Sequence, residues 1–335
     1  MSNNGNRGKE FVADVVLFRG TVAEFAGKEQ ALYDKYYNKL IAVETAEQGN
    51  DVFKRNVVFG DLVVPDSKNI EVLYVPEGVQ KQDYFPIIVN GDCSVCRTLI
   101  VIEKGASARI AFRFVPSGQP IRRFVEIYLA ENAALEMVEQ LGEAERLVNT
   151  VIVKQSKKSR FKDVVVASGG ESINNHKIIL AGAHAEAYLY GLSVLSGKER
   201  VEHNTIIEHA VSDCESSEHY KTVVDEKAQA SFFGRIYVAS DAQHTNAYQQ
   251  NNNILLSDTA KAYTRPQLEI YADDVKCSHG ATIGQLDEEA VYYMRQRGIS
   301  GDMAKKLQIT GFIGDIIKKV GDDALEEEIA SKIKL

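Results

Sequence analysis

Several residue types that mark common protein classes are scarce in this chain of 335 residues, which has no tryptophan and only 4 cysteines. So few cysteines do not make a disulfide framework. No apolar run approaches the roughly 20 residues that a membrane-spanning helix needs. The first ten residues, MSNNGNRGKE, lack the apolar segment of a secretory signal. We therefore expect a cytoplasmic protein with reduced thiols and no membrane partner.

The sequence also lacks the common nucleotide-binding and nucleophile motifs. It contains no G-x-x-x-x-G-K-[ST] run, no G-x-G-x-x-G after a strand and no G-x-S-x-G. The chain should therefore not hydrolyse nucleotides alone. Its formal net charge is -8, with both signs scattered along the sequence, whereas phosphate-backbone binding needs clustered Lys and Arg. We expect no nucleic-acid partner.

What the chain does contain falls into three regions. Residues 1–56 begin with a polar leader, predicted to be unstructured over residues 1–20. From Thr21 to about Gln48, apolar residues at spacings of three and four predict an amphipathic helix. Residues 57–284 form the predicted β core, and residues 285–335 form a predicted C-terminal helical domain.

The central region shows the period-two pattern of short strands. Ile110, Phe112 and Phe114 share one face of a predicted strand. Small residues recur after turns, as in Ala106-Ser107-Ala108 and Ala183-His184-Ala185, with full spacings of roughly 25–32 residues. No helix-length pattern separates the strands between about 151 and 276. These features favour a right-handed parallel β-helix (solenoid) over the competing antiparallel sandwich. The amide run at residues 249–253 predicts hydrogen-bond ladders between coils.

Helical patterns begin after Gly284. Asp287 is a good N-cap for the first helix, and Gly298 follows it as a C′ residue. A second helix is predicted from about Ser300 to Val320 and a third from Asp323 to Ile333. We expect these helices to cap the open end of the solenoid. Their wide apolar stripe also makes them a candidate docking surface.

Two weaker chemical patterns have ordinary structural explanations. Cys93 and Cys96 form a single C-x2-C without a second pair of zinc ligands, so we interpret them as small residues on a strand edge. Three Glu-His pairs could supply metal ligands, but a solvated polar face is the default interpretation. They are Glu202-His203, Glu208-His209 and Glu218-His219.

Cys277 and His279 form the most informative pattern, because they stand where strands give way to helices. Side chains two apart in a strand point to the same face, so both could meet a common metal or sulfur partner. Gly280 beside them allows another backbone to approach closely. A packed end strand with a buried free cysteine is the alternative.

A family resemblance covers the chain from roughly residue 57 to its C-terminus. The run DDVKCSHGATIGQLDEEAVYYMRQRGIS and the downstream LQITGFIGDII closely resemble the C-terminal part of the SufB/SufD family of iron–sulfur cluster assembly scaffold proteins. The stretches HNTIIEHAVSDCESSEHYKTV and FFGRIYVASDAQHTNAYQQNNN are similar to the same family. The Cys-Ser-His-Gly-Ala-Thr form resembles SufD, because SufB-type chains typically carry a glutamate where Gly280 stands.

The resemblance implies a scaffold subunit rather than an enzyme. It implies pairing with a SufB-type subunit, binding of a SufC-type ATPase by the helices from Asp287 onward, and a transient iron–sulfur cluster at the subunit interface. It assigns His279 as a ligand or proton carrier for that cluster, with Cys277 as the supporting residue. The sequence offers no support for a flavin. The N-terminal helical part is shorter than is usual in the family.

Two functions from other classes remain open at this point. A β-helix enzyme acting on polysaccharide would use Glu202, Glu208 and Glu218 on one exposed face, although no tryptophan is present for stacking on sugars. A purely structural homodimer would pair two open solenoid ends, and the isolated chain could form one.

Overall fold

The computed structural model describes residues 10–12, 15–21, 69–90, 95–115, 120–142 and 146–333. Over these ranges the chain forms strands followed by helices. The strands are β1 (Glu10–Val12), β2 (Val15–Thr21), β3 (Asn69–Val75), β4 (Gln80–Asn90), β5 (Val95–Ile102), β6 (Ser107–Val115), β7 (Ile121–Leu129), β8 (Ala134–Leu141), β9 (Leu147–Gln155), β10 (Arg160–Ala167), β11 (Glu171–Leu180), β12 (Glu186–Leu195), β13 (Arg200–His209), β14 (Glu215–Val224), β15 (Gln229–Val238), β16 (Thr245–Leu255), β17 (Lys261–Ile270) and β18 (Val275–Gly284). The helices are α1 (Glu288–Gln296), α2 (Gly301–Ile317) and α3 (Asp323–Lys332).

The strands build a parallel β-solenoid, as the repeat predicts. Odd-numbered strands from β3 to β17 pair in parallel in one sheet, which we call sheet A, and β1 and β2 extend it antiparallel. Even-numbered strands from β4 to β18 pair in parallel in sheet B. Each coil therefore contributes one strand to each sheet. Ala134 pairs with Arg160, which in turn pairs with Glu186, so each of these coils takes 26 residues.

The core lies between the two sheets, because every second residue of each strand points inward. Phe112, Phe161 and Ile127 are fully buried there. Where the chain turns between sheets, small residues such as Ala106, Ala185 and Ala228 are also buried. A narrow coil leaves little room at these corners, which explains the small-residue repeat in the sequence.

The amide run at residues 249–253 links successive coils, as predicted. Asn252 donates a hydrogen bond from Nδ2 to Oγ1 of Thr282 over 2.9 Å, and Asn253 donates to the Thr282 carbonyl over 3.0 Å. Asn251 donates to the Tyr220 carbonyl on the opposite side over 3.3 Å. These bonds tie β16 to both of its neighbours and satisfy buried amides.

The helices follow the strands as predicted, but they cover a face of the solenoid rather than its open end. Ile309, Ile313 and Ile316 of α2 are buried against the outer face of sheet B, in one cluster with Val164 and Leu192. Outward-facing valines and leucines on these strands provide an apolar strip that the helices bury. Within the described residues the strip includes none from β18, whose side chains are mostly exposed.

Polar contacts fix the helices on sheet B. Lys221 Nζ donates to the Phe312 carbonyl over 2.8 Å and lies 2.7 Å from Asp315 Oδ2. Tyr84 donates through its hydroxyl to the Val320 carbonyl over 2.8 Å. The helix ends agree with the sequence, since Asp287 accepts a hydrogen bond from the Ala290 amide over 3.1 Å. Burial raises the pKa of Tyr84 to about 12.

The N-terminal region differs in part from the prediction. The leader was expected to be unstructured through residue 20, but Glu10–Val12 and Val15–Thr21 are strands. The segment VVLF has high β propensity, and β2 extends sheet A by pairing with β3. Most of the predicted helix from Thr21 to Gln48 lies outside the described residues. The same holds for Cys93 and for the side chain of Cys96.

Candidate functional site

The candidate site is the uncovered end of the solenoid, where both sheets finish. In the described part of the chain, β17 is the last strand of sheet A and β18 the last strand of sheet B. Each pairs with one neighbour, β15 and β16 respectively. The other edge of each strand therefore presents backbone N–H and C=O groups toward the open end. Such an edge is a template for pairing with another chain.

Cys277 and His279 lie next to each other on the inward-facing row of β18. Cys277 is in register with Ala247 and His279 with Gln249, and both of those β16 residues are buried in the solenoid interior. The same alternation therefore turns Cys277 and His279 toward the solenoid axis. Because no further coil within the described ranges covers them, they form part of the last interior layer. The predicted shared face of the two residues is confirmed.

The thiol of Cys277 lies at the border between core and solvent. The side chain is half-buried and packs against the core. Partial burial raises the pKa of the thiol, although a hydrogen bond from the Ala247 backbone opposes this. A protonated thiol is a poor nucleophile and must lose its proton before it binds a metal. Cys277 is therefore suited to a ligand role only once a metal or partner is present.

His279 is exposed, in contrast to its neighbour. Among the described residues, no hydrogen bond or ion pair holds its imidazole, so both ring nitrogens face accessible space. A neutral imidazole can bind iron through either nitrogen and can also carry a proton near neutral pH. A Cβ added to the adjacent Gly280 would have no atom within 4 Å. Gly280 points to the opposite face of β18 from His279, and that face is open to an approaching chain.

Large apolar side chains are exposed on β17 and β18 and directly after β17. Ile283 is 47% exposed, Tyr271 58% and Tyr263 57%. The ring of Tyr271 lies 5.5 Å from that of Tyr237, centroid to centroid. Large exposed apolar groups beside unpaired strand edges are typical of a protein–protein contact surface. The end of the solenoid thus combines an exposed imidazole with a surface suited to a partner.

The three Glu-His pairs do not form a solvated polar face, so that default interpretation is wrong. His203 and His209 do share a face of β13, but that face is the solenoid interior, where both are buried. His203 Nε2 lies 2.9 Å from Ser193 Oγ, and burial lowers its pKa to about 3. His209 Nε2 lies 2.8 Å from Ser216 Oγ, and burial lowers its pKa to about 3 as well. Each histidine is therefore neutral and has a hydroxyl partner.

The carboxylates of these pairs are also divided between the two sides of the sheets. Glu202 and Glu208 point outward from β13, whereas Glu218 points inward from β14 and is 1% exposed. They cannot line one exposed face together. The arrangement that a polysaccharide-acting enzyme would need is therefore absent from these three residues.

The sequence analysis missed a buried ionic cluster in the middle of the solenoid. Glu139, Asp163 and His176 point inward from β8, β10 and β11, and Arg123 joins them from β7. The period-two pattern carried the signal. In β8, Glu139 occupies the inward row between Met137 and Leu141, where an apolar residue is expected.

A second exposed apolar surface lies on the helices. Tyr292 is 63% exposed and Tyr293 56%, both on α1, while Met303 and Leu307 on α2 are 50% and 46% exposed. We call these four residues the helical patch. The apolar residues of the helices therefore form two surfaces. One is the exposed helical patch, and the other is the side of α2 that is buried on sheet B. No helix in the described ranges is long and apolar enough to cross a membrane.

Comparison with known proteins identifies what this architecture is similar to. The family model described as SUF system FeS cluster assembly, SufBD core domain, matches residues 87–312. An iron–sulfur cluster assembly SufBD family protein of Synechocystis, slr0076, is 31% identical over 291 residues, which is 79% of this chain and 63% of that protein. The iron–sulfur cluster assembly protein SufD of Escherichia coli is 31% identical over 239 residues, or 69% of this chain and 56% of that protein.

A more distant relative matches nearly the whole sequence. Protein ABCI7 of Arabidopsis thaliana, a chloroplastic protein, is 26% identical over 332 residues, which is 92% of this chain and 68% of that protein. The chain spans 63% and 56% of the lengths of slr0076 and Escherichia coli SufD.

Proposed function

This chain belongs to the SufBD family of iron–sulfur cluster assembly proteins, and we propose that it is a SufD-type scaffold subunit without turnover of its own. In this proposal it pairs with a SufB-type subunit through the open end of its solenoid. A nascent iron–sulfur cluster forms there as cargo, shared between the two chains. The observation that carries the proposal is the placement of His279 in the uncovered last layer beside two unpaired strand edges.

The chemistry of the last layer supports His279 as the residue that handles the cluster. Its imidazole is exposed, and no ion pair to it is found within the described ranges, so a cluster or an iron ion could reach it. Cys277 is the supporting residue, because its half-buried thiol would have to lose a proton first. A cluster bridging two chains needs deprotonated ligands from each, and this layer offers two side chains from one of them.

The separate helical patch supports a second docking site. It lies on α1 and α2, directly after the strand that carries His279, and it exposes four large apolar side chains. We propose that a SufC-type ATPase binds there. The absence of a P-loop in this sequence fits an assembly whose nucleotide hydrolysis is supplied by another chain. The few residues between Gly284 and Asp287 would then couple the ATPase to the cluster layer.

Co-expression tests the partnership. The chain, produced with SufB-type and SufC-type chains, should be recovered as a stable complex by affinity purification on a tag of this chain. Tyr292→Glu together with Leu307→Glu should release the ATPase and leave the scaffold pair intact. Recovery of this chain alone, with both partners expressed and soluble, would contradict the proposed assembly.

Substitution of His279 tests the site. His279→Ala should leave folding and complex formation unchanged but abolish cluster build-up, measured by the visible absorption of the reconstituted complex. Ser278→Ala is the matched control, since Ser278 is exposed on the opposite face of the same strand. Normal cluster assembly by the His279→Ala complex would show that the role assigned to His279 is wrong.

A further inference from the structure

We propose that Glu139, Asp163 and His176 form a buried site for one divalent transition-metal ion inside the solenoid. This site is separate from the open end and does not depend on the proposed function. The three residues lie on three strands, with Glu139 and Asp163 in sheet B and His176 in sheet A. They face one another across the interior, and each side chain is at most 1% exposed.

The distances suit coordination of a small cation. His176 Nε2 lies 3.2 Å from Glu139 Oε1 and 3.0 Å from Asp163 Oδ2, and the three atoms lie within 4.8 Å of one another. Metal–ligand bonds of about 2.1 Å in tetrahedral or octahedral geometry place neighbouring ligand atoms roughly 3.0–3.4 Å apart. The observed atoms therefore require only small movements to surround one ion.

The carboxylate of Asp163 supplies an independent argument. Its Oδ1 has no hydrogen-bond partner among the described residues although it is buried, and Nε2 of His176 lies 3.0 Å from its Oδ2. The nitrogen that approaches it, Nε2 of His176, also faces Glu139. A buried ionised carboxylate without donors is costly, and such groups are normally paired or bound to a metal. Asp163 therefore shares its one nitrogen partner with Glu139, and its second oxygen has none among the described residues.

The charges of the interior also favour a divalent cation. Of the charged interior side chains that are at most 2% exposed in the described ranges, three are carboxylates, namely Glu139, Asp163 and Glu218, and one is a guanidinium, Arg123. These four side chains need two more positive charges to be neutral, and one divalent cation would supply them. Burial of uncompensated charge is strongly unfavourable. An ion between Glu139 and Asp163, with neutral His176, would make this buried group neutral.

Neighbouring groups would hold the ligands in place. Glu139 Oε2 accepts hydrogen bonds from Asn149 Nδ2 over 2.6 Å and from Arg123 Nη1 over 3.1 Å. This leaves Oε1 directed at His176. Hydrogen bonds to the second oxygen of a metal-binding carboxylate commonly orient it and tune its affinity. Arg123 itself is fixed by packing 3.7 Å above the ring of Phe112.

The ligand set indicates the class of ion. One imidazole nitrogen and two carboxylate oxygens suit Fe²⁺, Zn²⁺, Mn²⁺ or Co²⁺, rather than a soft ion that prefers thiolates. Because all three ligands are buried, the ion should enter while the chain folds and exchange slowly afterwards. An ion that binds the folded chain but not the unfolded chain would raise the free energy of unfolding of the solenoid.

Protons are the competing source of positive charge. Burial opposes a charge on His176, but its hydrogen bonds to Asp163 and Glu139 outweigh burial and raise its pKa to about 9. Burial raises the pKa of Glu218 to about 7. The same buried group without a metal, but with protonated His176 and protonated Glu218, would therefore also be neutral. The experiment must separate these two states.

The test is metal content after refolding. The isolated chain is unfolded in denaturant with a chelator and refolded with Zn²⁺, Fe²⁺, Mn²⁺ or Co²⁺ in turn. After desalting, elemental analysis should find about one equivalent of at least one metal, and the melting temperature should exceed that of chain refolded with chelator. The Co²⁺ form should show d–d absorption from a site with nitrogen and oxygen ligands.

Variants assign the site. Asp163→Asn and His176→Gln should lose the metal, whereas His203→Gln, which replaces another buried interior imidazole, should retain it. Anomalous diffraction from the metal-loaded wild-type crystal locates the ion even where a variant fails to fold. The proposal is overturned if the folded wild-type chain retains less than about 0.1 equivalents of every metal. It is also overturned if the ion lies elsewhere, or if nitrogen NMR shows both ring nitrogens of His176 protonated in the refolded chain.

Discussion

The ring of Tyr220 on β14 occupies the interior space that Gly191 leaves open on β12. The two residues are in register on neighbouring coils, and a Cβ on Gly191 would lie 2.0 Å from Cδ1 of Tyr220. Tyr220 is 2% exposed and its ring also lies 4.8 Å from that of Phe232. The glycine is therefore required by packing, because the added Cβ would overlap the body of the ring rather than the end of a flexible side chain.

Gly191→Ala should consequently destabilise the solenoid. The added methyl group overlaps a fixed aromatic ring, and overpacking of this kind costs about 1–3 kcal/mol or more in free energy of unfolding. Chemical denaturation monitored by circular dichroism measures the change. Gly311→Ala is the matched control, because Gly311 is exposed within α2 with nothing within 4 Å. That change should stabilise by about 0.5–1 kcal/mol. Equal stability of Gly191→Ala and wild type would contradict the packing argument.

Acid sensitivity should arise in part from buried His209. Burial lowers its pKa to about 3, against an ordinary value of 6.5. Between these values the unfolded chain binds the extra proton. The stabilisation is therefore complete above pH 6.5 and falls by about 1.4 kcal/mol per pH unit as the pH drops toward 3. His209→Gln should remove this part of the pH dependence, measured by denaturation at several pH values.

A second substitution separates titration from hydrogen bonding at this position. Ser216 Oγ lies 2.8 Å from His209 Nε2. Ser216→Ala should lower stability by about 1–3 kcal/mol at every pH, because it leaves a buried ring nitrogen unpaired. The slope with pH should stay that of wild type. If His209→Gln instead keeps the wild-type slope, the acid sensitivity has another origin.

A third prediction concerns the contacts that fix the helices to sheet B. Lys221 is 12% exposed and Asp315 51%, so the lysine contributes mainly through its bond to the Phe312 carbonyl. Lys221→Met should lower the free energy of unfolding by about 1–2 kcal/mol. It should also speed proteolytic cleavage of the segment that joins sheet B to the helices. Asp315→Asn should cost less than about 1 kcal/mol, since an exposed ion pair contributes little. A larger loss for Asp315→Asn would show that the ion pair dominates.

The sequence predicted the periodic features of this fold better than its polar interior. Alternation and small corner residues were sufficient for the solenoid, because both are imposed on every coil. The same alternation placed Cys277 and His279 on one face. The alternation also places Glu139 on the inward-facing row. A single carboxylate in an apolar row cannot be interpreted, however, until its partner from a distant part of the sequence is known. His176 is 37 residues away in sequence, and only the stacking of coils brings the two together.

The position of the helices could not be predicted for a related reason. An apolar stripe shows that a helix face is buried but not what covers it. Val164 and Leu192 point outward from strands that carry apolar residues on both faces. Any strand that is buried on both faces has this pattern, whatever element covers it. The open end of the coil and the outer face of sheet B were equally suitable partners until the register was known.

The uncovered end should make the isolated chain self-associate, and Ile283 gives the test. Two copies can pair their open ends about a twofold axis, with the free edges of β17 and β18 joined to their equivalents. Ile283 faces the solenoid axis in the last layer and is 47% exposed, so pairing would bury it. Sedimentation of the isolated chain at micromolar concentration should show dimers, and Ile283→Asp should shift them to monomers, because the carboxylate would be buried without a partner. Met303→Asp is the control, since Met303 is equally exposed on the helical patch, and it should leave the dimer intact. A monomeric wild-type chain, or equal dissociation by both variants, would show that the open end does not pair two copies of this chain.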